Sequence, residues 1–116
     1  MYLLIIQLFK MEYKDDLLLA MNSCGIKKGN TIEGQNLELA LERDFPLFTC
    51  LIKSDLERER FSMLIISVVD EKRRAKDLIH LLKEADIDII RENIMRIILI
   101  SADMVIDNTL QWEANQ

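Results

Sequence analysis

Three glycines and a single proline in 116 residues leave little material for flexible linkers. The chain is therefore expected to fold as one domain spanning residues 1–116. Histidine occurs once, at His80, and cysteine twice, at Cys24 and Cys50, with no CxxC spacing. That scarcity argues against a structural zinc site and against a disulfide-stapled scaffold. Aromatic residues make up only 6% of the chain, and its net charge is -5. A nucleic-acid partner needs a concentrated basic surface, and an RNA-binding sheet needs aromatics on its central strands. The third predicted strand offers only Phe61, at its edge. A nucleic acid is accordingly not expected as partner. The apolar run from Tyr2 to Phe9 has no basic stretch before it and no small-residue cleavage site after it. It is also far shorter than the ~20 residues a membrane helix requires. No membrane insertion is expected, and the two cysteines read as reduced thiols of a cytoplasmic protein.

What is present is a strong alternation of textures. Tyr2 to Phe9 (YLLIIQLF) reads as a buried strand. Met11 to Ser23 follows with Tyr13, Leu17, Ala20 and Met21 at helical spacing. Gly25 stands where a helix exit wants a positive φ, and Ile26 can supply the apolar contact that accompanies such a cap. Asn30 to Glu33 is a short strand. Gln35 to Arg60 reads as a long excursion with short helical turns, broken at Pro46, whose ring disfavours helix at Phe45. Its apolar residues, including Phe45, Leu47 and Phe48, predict that it packs, and its length points to function. Phe61 to Val69 is the next strand. Asp70 is predicted to cap a helix over Glu71 to Ala85, with Ala75, Leu78, Ile79, Leu82 and Ala85 as its apolar stripe. Ile94 to Ile100 closes the set, and residues 107–116 form a tail.

Two strand-helix-strand halves define an α+β, ferredoxin-like βαββαβ fold, with a four-stranded antiparallel sheet and two helices on one face. The first and last strands are apolar at consecutive positions, Leu3 to Ile6 and Ile97 to Ile100. Alternation therefore places apolar side chains on the uncovered face as well, which predicts self-association.

In four places the sequence resembles the PII signalling family, in its divergent PII-like branch. These are the passage Cys24-Gly25-Ile26 into Thr31-Ile32-Glu33, the stretch Glu42-Arg43-Asp44-Phe45-Pro46-Leu47-Phe48, the run Ile65 to Glu71, and Ile98 to Val105. The resemblance implies a ferredoxin-like protomer and a homotrimer with its sheets facing inward. It implies ligand clefts between subunits, a small-molecule effector and a protein target reached by the excursion. The ligand-binding positions it suggests are Thr31, Glu33 and Gln35 at the base of the excursion, and Asp44, Phe45, Pro46 and Phe48 within it. The chain departs from the family where nucleotides are held. Residues 86–96 contain no glycine, and Asp107 to Asn115 carries no Arg or Lys. No cofactor is therefore expected.

The remaining chemistry-bearing residues form no catalytic constellation. His80 has no second ligand at metal spacing, and Asp86, Asp88, Asp103 and Asp107 read as solvated turns rather than an ion site. Lys72, Arg73 and Arg74 open a helix whose dipole they oppose. Either a bound anion or pairing with Asp70, Glu71 and Asp77 accounts for them. The expectation is a regulatory, small-molecule-sensing protein and not an enzyme. A ligand-free interaction protein of the same fold, with the excursion packed as a lid, is the alternative.

Overall fold

A computed structural model of the chain describes residues 1–45 and 61–107. Strand β1 (Tyr2–Leu8) leads through a single 3-10 turn (Met11–Tyr13) into helix α1 (Lys14–Ser23). Strand β2 (Gly29–Gln35), helix α2 (Leu37–Asp44), strand β3 (Phe61–Val69), helix α3 (Lys72–Glu84) and strand β4 (Met95–Ser101) follow. The sheet has the order β2-β3-β1-β4, and every neighbouring pair is antiparallel. This is the ferredoxin-like α+β arrangement expected from the order of elements. Strand β2 runs on to Gln35, two residues past the predicted end.

The period-2 pattern decides which side chains meet the helices. Leu4, Ile6 and Leu8 of β1 and Met63 and Ile65 of β3 are buried, and they pack with Leu17 and Met21 of α1 and Ala75, Leu78 and Leu82 of α3. This is the core, and it lies on one face of the sheet. On the opposite face Val68, Leu3 and Ile100 form one cross-strand rank, and Ile66, Ile5 and Ile98 form the next. Val68 is 39% exposed, Ile100 is 47% exposed and Ile32 of the edge strand is 52% exposed. A residue pattern apolar on both faces has thus placed one set in the core and left the other outward.

Both core helices end in the same way. At the end of α1 the Gly25 amide donates to the Asn22 carbonyl and the Ile26 amide to the Met21 carbonyl, with Gly25 at φ 79°. At the end of α3 the Asp86 amide donates to Lys83 and the Ile87 amide to Leu82, with Asp86 at φ 61°. Each is a Schellman closure, and each puts the next residue, Ile26 or Ile87, into the core. The first was signalled by glycine. The second was not, because an aspartate occupies the left-handed position.

Four expectations are corrected. The excursion, expected to hold only short helical turns, opens with a regular helix, α2, in addition to the two expected core helices. Its first turn is fixed by Asn36, whose Oδ1 accepts from the Glu38 amide. Helix α2 buries none of its residues, and Leu37 and Phe45 are 73% and 53% exposed, so this part of the excursion does not pack on the core. Asp70 is not the cap of α3. The N-cap is Glu71, without a side-chain cap bond, and the Asp70 carboxylate instead accepts from Arg74 one turn into the helix. Within the α3 stripe, Ile79 and Ala85 lie exposed while Ala75, Leu78 and Leu82 are buried. Among the described residues, no helix is long and apolar enough to cross a membrane.

Candidate functional site

A cleft of about 280 Å³ opens between α1 and the helix-facing side of β2. Its apolar wall consists of Leu18 and Met21 from α1, Ile26 from the connection and Ile65 from β3. Its polar rim consists of Asn22, Lys27, Lys28, Thr31 and Ser67. The cleft exists because β2 is the edge strand and α1 packs chiefly over the central strands. Thr31 and Gly29 are on the helix side of β2 by their register with Ile65 and Ser67, yet both are exposed.

Two polar contacts tie together the elements around this cleft. Lys14 Nζ reaches Glu33 Oε1 at 2.9 Å, tying the start of α1 to β2. That hydrogen bond pushes the Lys14 ammonium above its ordinary pKa. At the other end the Ser67 hydroxyl donates to the Lys28 carbonyl oxygen. Among the described residues Ser67 is the polar residue that is buried, 4% exposed, and this bond meets the donor requirement that burial imposes. The strands approach so closely here that a Cβ on Gly29 would collide with the Ile66 carbonyl oxygen. Glycine is required at that position by contact, and at Gly25 by its positive φ.

The sequence-predicted positions are distributed as follows. Thr31 lines the cleft. Glu33 is engaged by Lys14. Gln35 and Asp44 are joined by Arg43, whose Nη1 donates to Gln35 Oε1 at 2.8 Å and whose Nε donates to Asp44 Oδ1 at 3.0 Å. Arg43 thereby fastens the end of α2 to the end of β2. Phe45 is half exposed just after α2. Pro46 and Phe48 lie outside the described residues. Sequence reasoning passed over Lys27 and Lys28. Two lysines preceding a strand beside a glycine helix exit were the available signal.

The basic opening of α3 is locally compensated. Arg74 Nε donates to Asp70 Oδ1 at 3.1 Å, and Arg73 Nη2 lies 3.3 Å from Glu71 Oε2. Lys72 Nζ sits 5.8 Å from the centroid of the Tyr2 ring. Pairing thus accounts for Arg73 and Arg74. Cys24 is a buried thiol, and burial, followed by the nearby Asp77 charge, raises its pKa and keeps it protonated. The Asp88 carboxylate accepts from the amides of Ile90 and Arg91 and so shapes its own turn. Among the described residues, no three His, Cys, Asp or Glu side chains come together.

No protein-family model matches the chain, and no curated protein matches it. Solved structures do. The crystal structure of CutA1 from Pyrococcus horikoshii aligns over 99% of this chain and 96% of its own, with a TM-score of 0.55 and 15% identity. At that identity the likeness is one of fold. CPII, a nitrogen regulatory PII-like protein from Thiomonas intermedia K12 bound to ADP, AMP and bicarbonate, aligns over 87% of this chain and 88% of its own, with a TM-score of 0.43 and 12% identity. The sheet order and the likeness to CutA1 together give the ferredoxin-like fold that the sequence resemblance implies.

Proposed function

We propose that the protein is a regulatory, small-molecule-sensing module that acts as a homotrimer, with its bare sheet faces inward and its ligand held in the α1–β2 cleft. The observation that carries this reading is the outward rank of Leu3, Ile5, Ile66, Val68, Ile98 and Ile100 on the face opposite the core. A patch of contiguous branched aliphatic side chains of this kind is an association surface, because covering it removes apolar area from water at about 25 cal/mol per Å². Arg96 borders the patch, its Nη1 on Gln7 Oε1 at 3.0 Å and its guanidinium 5.6 Å from the Phe9 ring, and so supplies a polar rim.

Binding rather than catalysis is the role proposed for the cleft, whose lining joins an apolar wall to a rim of lysine, amide and hydroxyl groups. A cytoplasmic location accords with the free, buried Cys24 thiol. A protein target would meet α2, where Leu37 and Phe45 stand exposed at the mouth of the excursion. That same exposure favours the second reading, an interaction protein without a ligand.

Two measurements decide between the readings. Light scattering at micromolar concentration is expected to give three times the chain mass, and a monomer would sink the trimer. Thermal-shift screening against metabolites is expected to raise the melting temperature with a ligand that prefers the folded state. A trimer that no metabolite stabilises favours the interaction protein.

A further inference from the structure

The α1–β2 cleft carries a chemical preference that the net charge of the protein hides. The chain as a whole is acidic, at -5. The cleft nevertheless contains Lys27 and Lys28 and no acidic side chain among its lining residues. Among the described residues neither lysine is in an ion pair. Both are exposed at the rim, while Met21, Ile26 and Ile65 below them are at most 6% exposed. We propose that the cleft binds a small organic anion, with its carboxylate or phosphate head at Lys27 and Lys28 and its apolar body against Leu18, Met21, Ile26 and Ile65.

The acidic groups around the cleft do not oppose this, and Glu33, two residues beyond Thr31 on β2, is already held by Lys14. Asp70 and Asp107 line a different pocket, beside Gly25 and Arg74, which shares only the Lys27–Lys28 segment with the cleft. Asp70 is already taken by Arg74. Size limits the ligand further. At roughly 30 Å³ for each water of bulk liquid, the cleft holds the volume of about nine waters, so the body is on the order of ten non-hydrogen atoms. Thr31 and Asn22 at the rim add hydroxyl and amide groups able to orient the head. The backbone on either side of the lysines is tied down, by the Ser67–Lys28 bond below and by the Arg74 contact with the Cys24 carbonyl at the helix exit. This inference rests on the reading of the cleft as the binding site, and it adds the class of ligand.

The test uses hexanoate and hexyl phosphate as anionic probes and hexanamide as the neutral control, titrated into the full chain labelled with ¹⁵N. Saturable amide shifts are expected at Gly29, Thr31 and Ser67 with at least one anion, and hexanamide is expected to bind about fivefold more weakly or worse. Whichever of the two anions binds more tightly identifies the head group. Lys27→Gln with Lys28→Gln is expected to weaken anion binding by about tenfold, in line with two exposed charge contacts, while Lys76→Gln on α3 leaves it unchanged. Should the double variant not fold, raising the salt concentration on the unaltered protein serves instead, since screening weakens exposed charge contacts. Equal binding of hexanamide and hexanoate, or shifts confined to other sites, would overturn the proposal. A trimer measured by light scattering would stand regardless of that result, so the two failures are distinguishable.

Discussion

Arg74 of α3 caps α1 from across the helix layer, its Nη1 donating to the Cys24 carbonyl oxygen at 3.0 Å. The same guanidinium holds Asp70 through Nε at 3.1 Å. It also lies against Gly25, where an added Cβ would come within 2.9 Å of Nη1. One side chain thus joins the end of the first helix, the end of β3 and the start of the second core helix.

Replacing it with methionine, which keeps the aliphatic stem, is expected to lower the urea midpoint, and the loss is expected to depend on pH. The hydrogen bond from Arg74 holds the Asp70 carboxyl below its ordinary pKa. A depressed folded-state pKa contributes stability that is fully present above the unfolded value, about 3.9, and is lost as pH falls through the folded value. The difference between Arg74→Met and the unaltered chain should therefore be larger at pH 7 than at pH 2. A difference independent of pH would show that Asp70 takes no part.

The glycines separate by what surrounds them. Gly29→Ala drives a methyl into the Ile66 carbonyl and is expected to cost about 1–3 kcal/mol in urea denaturation. Gly34 has nothing within 4 Å of its would-be Cβ. Gly34→Ala is expected to be neutral or to stabilise by up to about 1 kcal/mol, by restricting the unfolded chain.

Asp86 pays for its left-handed backbone at the end of α3. Asp86→Gly removes that strain while retaining both closing hydrogen bonds. Stability is expected to rise by about 0.5–1 kcal/mol, read as a higher melting temperature. A fall would show that the aspartate side chain contributes more than its backbone costs.

The bare sheet face gives a test of assembly that spares the fold. Ile66 faces Ile5 across the central strand pair, away from the core. Ile66→Lys is expected to lower the mass seen by light scattering to that of one chain while the far-ultraviolet circular dichroism is unchanged. The corresponding change on the core face, Leu4→Ala, leaves a cavity and is expected to cost about 2–5 kcal/mol.

Much of the fold was legible because local patterns and tertiary demands agree. Tyr2–Leu8 and Phe61–Val69 are continuous apolar runs of strand length, and the structure uses both as central strands. Gly25 announced its helix exit because a positive φ has few alternatives to glycine. The site was less legible. Thr31 came from the family resemblance and does line the cleft, but Lys27 and Lys28 gained meaning only when α1 was laid beside the edge strand. Asp70 misled, since a carboxylate before a helix serves equally as a cap or as a partner for an arginine four residues on.

The sequence by itself determined the four strands, the two core helices and their order, because periods of 2 and 3.6 write burial directly into the chain. It also determined that some apolar surface would remain outward, because β1 and β4 carry Leu and Ile on both sides. Only the tertiary structure decided which set faced the helices, since alternation is indifferent to which face is covered. It alone produced the cleft, which depends on how far α1 reaches over β2. The pairing of Arg74 with both Asp70 and a carbonyl of another helix was likewise beyond the sequence, because long side chains choose partners by proximity in space, and Cys24 lies fifty residues away in sequence.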